Sequence, residues 1–189
     1  MKVENKNLLI TDPCYLDEFF KEGIKITPII NEPTIYGDWT CMAYKGTNVE
    51  ELRKRSEEWE LIYFDFFDKV ATLSNKNGLG EYDDDIQKLL DEFKKKRKEW
   101  IDKHCFGEFC SDSGMVAVYI MEDIEEALRG SSLENIFNDF YNWYSDEDNY
   151  CACLIPNYTG EVEYVVEGEG DDVSAHIKGD NFYTFQSGI

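Results

Sequence analysis

"GEVEYVVEGEGDDVSAHIKGDNFYTFQSG", residues 160–188, decides the fold. Val162, Tyr164 and Val166 alternate with glutamates, and Val173, Ala175 and Ile177 alternate with polar residues. Side chains on a strand point to opposite faces in turn, so this period of two predicts half-buried antiparallel strands. "KGDN", 178–181, supplies the Gly and Asx residues that a tight hairpin requires. "GEGDD", 168–172, lacks the spacing and closing Glu of a calcium loop and reads as another turn. With "NYCACLIP", 149–156, just upstream, the stretch makes four strand candidates and a C-terminal β-meander.

Working toward the N-terminus, "MVAVYIM", 115–121, is an apolar run of strand length, entered through "DSG". "GDWTCMAY", 37–44, reads as a strand, and Leu8, Leu9 and Ile10 as another, closed by Asp12-Pro13. Between these strands lie helical patterns. Asn48 is a suitable N-cap for a helix through "VEELRKRSEEWEL". "IYFDFFDKVATL", 62–73, fits either helix or strand, and "SNKNGLGEYDDD", 74–85, reads as a loop. From Asp84, residues Ile86, Leu89, Leu90, Phe93, Trp100 and Ile101 fall on one helical face. The "KKKRK" run, 94–98, reads as the solvated face, paired with Asp91, Glu92, Glu99 and Asp102; phosphate binding is its other reading. "EDIEEALRG" predicts a short helix stopped by Gly130, and Ser132 caps a further one through Tyr144. The expected fold is α+β: a mainly antiparallel, curved β-sheet or sandwich with two to three inserted helices and a C-terminal β-meander. One domain over 1–189 is expected, with a helical insert at about 47–104.

The formal net charge of −21 is unevenly spread. Residues 105–189 carry 18 acids against two bases, Arg129 and Lys178. Such a field repels nucleic acid and anionic membranes and attracts a basic protein surface; it also serves solubility. No apolar stretch has the length of a membrane span, and "MKVENKNLLITDP" lacks a signal pattern, so a cytoplasmic location is expected. The six cysteines are then expected to be reduced.

Three short stretches place a carboxylate at a strand end: Asp12 in "TDPCY", Asp38 in "YGDW" and Asp112 in "SDSGM". If they converge, with Cys14, Tyr15, Trp39, Ser113 and Gly114, they build a ligand site: they could hold a hard cation or raise one another's pKa. The competing reading is that each Asp caps a turn. Neither "HCFGEFC" nor "CAC" has the paired spacing of a zinc site, and no metal or cofactor is expected. A Cys14 thiolate would need His104 or His176 as its base. Alternation sets His176 opposite Ala175 and Ile177, hence outward if those are core. No P-loop, dinucleotide fingerprint or hydrolase elbow is present in the sequence.

"DPCY", "GDW", "GEFCSDSGMV" and "GDNFYTFQSG" together resemble a family of small bacterial and phage proteins. Its members carry DPCY, a G-D-G or G-D-W element, a D-[AS]-G element before an apolar strand, and a C-terminal T-x-Q-[ST]-G tail. The stretch from about 47 to 104 has no counterpart in that pattern. The resemblance implies a compact, mostly antiparallel β fold and a shared framework or site at Asp12, Cys14, Tyr15, Asp38, Asp112 and Gly114. It implies no activity.

The expected function is a non-enzymatic acidic binding protein, of the phage or mobile-element kind that inhibits a nucleic-acid-handling or defence protein by occupying its basic surface. Its expected contacts are Asp146, Glu147, Asp148, Glu161, Glu163, Glu167, Glu169, Asp171 and Asp172. The alternative is a small-molecule-binding protein or hydrolase whose site is built from Asp12, Cys14, Asp38 and Asp112. The oligomeric state is left open.

Overall fold

A computed structural model describes residues 1–13, 25–33, 39–77, 84–111, 115–122, 153–169 and 174–187. The strands are β1 (Lys2–Thr11), β2 (Ile26–Pro33), β3 (Trp39–Lys45), β4 (Cys105–Ser111), β5 (Met115–Met121), β6 (Cys153–Glu167), β7 (Ser174–Gly179) and β8 (Phe182–Ser187). Two helices, α1 (Val49–Asn77) and α2 (Asp84–His104), lie between β3 and β4 in the chain. The eight strands form one sheet of order β2-β5-β1-β6-β7-β8-β3-β4, with every recorded pairing antiparallel. The edge strand β4 also packs against β6 and β1, well inside the order, because the sheet curls into a half-barrel. The α+β class with a curved antiparallel sheet is therefore as the sequence predicts.

The sheet has an apolar layer on each side. Leu8, Ile10, Cys41, Ala43, Phe109, Val116, Val118, Ile155, Val162, Ile177 and Phe182 fill the inside of the curl. Neighbours of opposite parity, Met42, Tyr44, Tyr183 and Phe185, meet Leu52, Trp59, Phe66, Phe93 and Ile101 of the helices. The period of two along β3 and β8 thus feeds two cores. The helix layer is aromatic: Phe66 and Phe93 stack with centroids 4.3 Å apart, and Trp59 lies 5.8 Å from Phe93 and 6.1 Å from Trp100.

β6 holds the two halves of the sheet together. Its first half pairs with β1 and its second with β7. Within the β1-paired half Asn157 adopts φ 51°, at a break in the register between Ile155 and Tyr158. At Gly160 an added Cβ would lie 2.6 Å from Asp180 Oδ2 and 2.7 Å from the Tyr158 hydroxyl oxygen. That hydroxyl donates to the Glu161 carbonyl (2.5 Å) and accepts from the Asp180 N–H (2.9 Å), tying the kink to the β7–β8 turn. At Gly179 a Cβ would collide with the Phe182 ring at 2.1 Å, so the "KGDN" hairpin needs glycine there for space.

Several local expectations are corrected. "CACLIP" and "GEVEYVVEG" contribute to one long, kinked strand, not two. Residues 62–73 are helical, as are Ser74–Asn77 and Asp84–Asp85 of the expected loop. The stripe Trp59, Phe66 and Val70 packs on α2 and the sheet, and tertiary burial outweighs the β-propensity of the aromatics. β2 and β4 were not anticipated. β2 carries Pro28 and Pro33, tolerated because it is an edge strand with a register shift after Pro28. β4 starts directly after α2 with no intervening residue, and its glycine and cysteines hide its alternation. Apart from Glu122, the helices expected over 122–130 and 132–144 lie outside the described residues.

Candidate functional site

Of the expected ligand-site residues, Asp12 is described in full and is completely buried at the end of β1. Thr11 beside it pairs with Ala117 of β5, so Asp12 stands by the entry to that strand. Burial pushes the Tyr119 phenol up to about 12, and the charge of Asp12 adds to the shift. Trp39 opens β3 and is the ladder partner of Ser111, the last residue of β4. Cys14, Tyr15, Asp38, Asp112, Ser113 and Gly114 lie outside the described residues. Their described neighbours Trp39 and Ser111 share one end of the β3–β4 ladder.

The partner-binding candidates Glu161, Glu163, Glu167 and Glu169 are on β6 or just beyond it; Asp146, Glu147, Asp148, Asp171 and Asp172 lie outside the described residues. Glu161, Glu163 and Glu169 are exposed. Lys178, the cross-strand partner of Glu163, reaches its carboxylate at 3.2 Å. Glu167 is half-buried and forms an ion pair with Arg53 of α1. It also accepts from the Tyr183 hydroxyl at 3.5 Å and faces His176 Nε2 at 3.9 Å.

His176 corrects a sequence expectation. It does point away from Ile177, but α1 and the Tyr183 and Phe185 rings cover that face, so the imidazole is buried. Its Nδ1 donates to the Thr184 carbonyl at 2.7 Å, which places the proton of the neutral ring on Nδ1. Burial lowers the His176 pKa, and Arg53 acts the same way; the Thr184 carbonyl and Glu167 oppose it without reversing it. The group Arg53, Glu167, His176 and Tyr183 thus clamps the start of α1 to β6, β7 and β8. Arg53 also lies over the Phe185 ring, 5.9 Å from its centroid.

A second charged pair was missed. Arg97, the fourth residue of "KKKRK", is buried with Glu108 of β4, their side chains 5% and 3% exposed, in a direct ion pair. The expectation of a wholly solvated basic face is therefore corrected at this position. Arg97 belongs to the buried stripe Ile86, Leu90, Phe93, Arg97, Ile101, whose spacing was present in the sequence. Two of the other bases pair as expected: Lys98 reaches Asp102 at 3.1 Å and Lys95 reaches Glu99 at 4.0 Å.

Cys41, Cys105 and Cys153 are buried thiols. Burial raises the Cys105 pKa well above the usual thiol range, with Lys45 and Arg55 opposing weakly, so Cys105 is an inert core residue. Among the described residues no three His, Cys, Asp or Glu side chains are grouped to hold a metal. No described helix is long and apolar enough to cross a membrane. No family model, curated protein or solved structure matches the chain.

Proposed function

We propose that the protein is a non-enzymatic acidic binding protein. It occupies the basic surface of a nucleic-acid-handling or defence protein and inhibits it, as proteins of phage and mobile elements do. The observation that carries this reading is the outward display of charge. The chain has 40 acids against 19 bases, and among the described residues only Asp12 and Glu108 are buried carboxylates. Exposed carboxylates act at range on a basic partner and speed its capture, whereas buried ones serve the fold.

The test is native mass spectrometry of the protein recovered from its host, followed by titration of the recovered complex with salt. A second, basic polypeptide whose affinity falls as ionic strength rises from about 0.01 M to 1 M, while the Debye length shrinks from about 30 Å to 3 Å, supports the reading. Affinity unchanged over that range, or a bound small molecule in place of a polypeptide, overturns it.

A further inference from the structure

The described residues expose only four large apolar side chains: Met1, Leu61, Phe64 and Val166. Two of them are neighbours on α1, where Leu61 is 70% and Phe64 54% exposed. They are three residues apart and so lie side by side on one helical face. That face is continuous. Glu57, Glu58, Leu61, Phe64, Asp65, Asp68 and Thr72 follow the helical period and are all exposed. Carboxylates precede and follow the apolar pair. Asp65 is held by Lys69 at 2.6 Å. Next to the apolar pair, a groove of about 300 Å³ is lined by Asp65, Asp68, Lys69, Thr72 and Leu73 of α1 and by Leu89 of α2.

A helix needs one apolar stripe to pack on its core, and α1 has one in Leu52, Trp59, Phe66 and Val70. Leu61 and Phe64 stand away from that stripe; Phe64 meets the Tyr63 ring edge-on, with centroids 6.0 Å apart, and still leaves more than half of itself exposed. Adjacent exposed apolar side chains rimmed by charge mark an interaction site. The rim decides the occupant. A second copy would set Glu57, Glu58 and Asp68 against their equivalents, on chains that each carry −21. An anionic bilayer would be repelled in the same way. A cationic segment with its own apolar side satisfies both rim and centre.

We infer that the outward face of α1, from Glu57 to Thr72, docks a basic amphipathic segment of a partner protein, with Leu61 and Phe64 as the apolar anchors. The inference rests on the reading of the chain as an acidic binding protein and moves the specific contact from β6 to α1. The acids of β6 then steer the approach, and α1 supplies the residues that leave water on binding.

The probe is a synthetic helical peptide with lysines on one side and leucines on the other, compared with an oligolysine of equal length. Both are labelled and titrated by fluorescence anisotropy against the full chain and its Leu61→Ser/Phe64→Ser variant. Both positions are exposed, so the variant is expected to fold, which far-ultraviolet circular dichroism checks; the milder Leu61→Gln serves if it does not. The expected result is at least a tenfold loss of affinity for the amphipathic peptide in the variant, and no change for oligolysine. Equal affinity of both proteins for the amphipathic peptide overturns the docking face. If that binding still weakens with salt, the broader function stands. A full chain that binds neither peptide overturns both. A dimer in sedimentation that the variant converts to monomer assigns the face to a second copy and also overturns the inference.

Discussion

Arg97 and Glu108 carry more weight than their place in a lysine-rich run suggests. Two charges with side chains 5% and 3% exposed have given up water for each other. Removing one strands its partner in the core, at a cost of about 3–5 kcal/mol, whereas replacing both by apolar groups of similar volume is close to neutral. Arg97→Met or Glu108→Leu alone should therefore lower the urea midpoint steeply, and the double variant should recover most of the loss. A double-mutant cycle that shows simple additivity would refute a coupled pair. His176 gives the second prediction at this scale. Its pKa is lowered from 6.5 in the folded chain. Below about that pH the unfolded chain takes up a proton that the folded chain resists, so stability falls with falling pH. His104, also lowered by burial, contributes in the same direction. His176→Asn keeps a donor near the Thr184 carbonyl and cannot titrate. It should flatten the pH dependence of unfolding free energy between pH 7 and 5, leaving the slope from His104; an unchanged slope would clear His176 of that role.

The helical hairpin is where local sequence and tertiary burial disagree most. Phe93 touches Trp59, Phe66 and Tyr63, with centroid distances of 5.8, 4.3 and 6.0 Å. Phe93→Ala should cost about 3–5 kcal/mol through the cavity it leaves. Asn48→Ala should cost only about 1 kcal/mol, because it removes the single cap bond from the Glu51 N–H to Asn48 Oδ1, 3.3 Å. Chemical denaturation of both variants checks the ratio, and a cap mutation as damaging as the core one would contradict this account. The second helix and the strands of the meander were readable because their periods, 3.6 and 2, run clean over enough residues. Residues 62–73 were not: aromatics spaced for a helix are also good strand formers, and only the presence of Phe93 opposite them settles the matter. β2 was hidden by prolines that an edge strand tolerates, and β4 by a glycine and cysteines that look like chemistry. Of the candidate site, Asp12 was legible as a strand-end residue. Its complete burial beside Tyr119 was not, because that depends on β5 arriving from over a hundred residues away. His176 shows the same limit in reverse: alternation gave its face correctly, but not the helix that covers it.

At the scale of the whole molecule, one quantity acts in two directions. A chain of formal charge −21 repels itself when compact, so screening should stabilise the fold. Raising ionic strength from about 0.01 M to 0.5 M should add on the order of 1 kcal/mol, which for a chain of this size is roughly 2–4 °C in melting temperature. The same screening should loosen any complex with a basic partner, since there the charge is attractive. The opposite signs make the pair of measurements informative. A complex that dissociates with salt while the free protein becomes more stable has lost an electrostatic contact, and unfolding cannot be the cause. If the melting temperature instead falls with added salt, the carboxylates are held in favourable internal pairs like exposed Glu163 with Lys178 and half-buried Glu167 with Arg53. The outward charge would then belong to the fold and not to a partner. Calorimetry of the free chain across that salt range therefore bears on the function before any partner has been found.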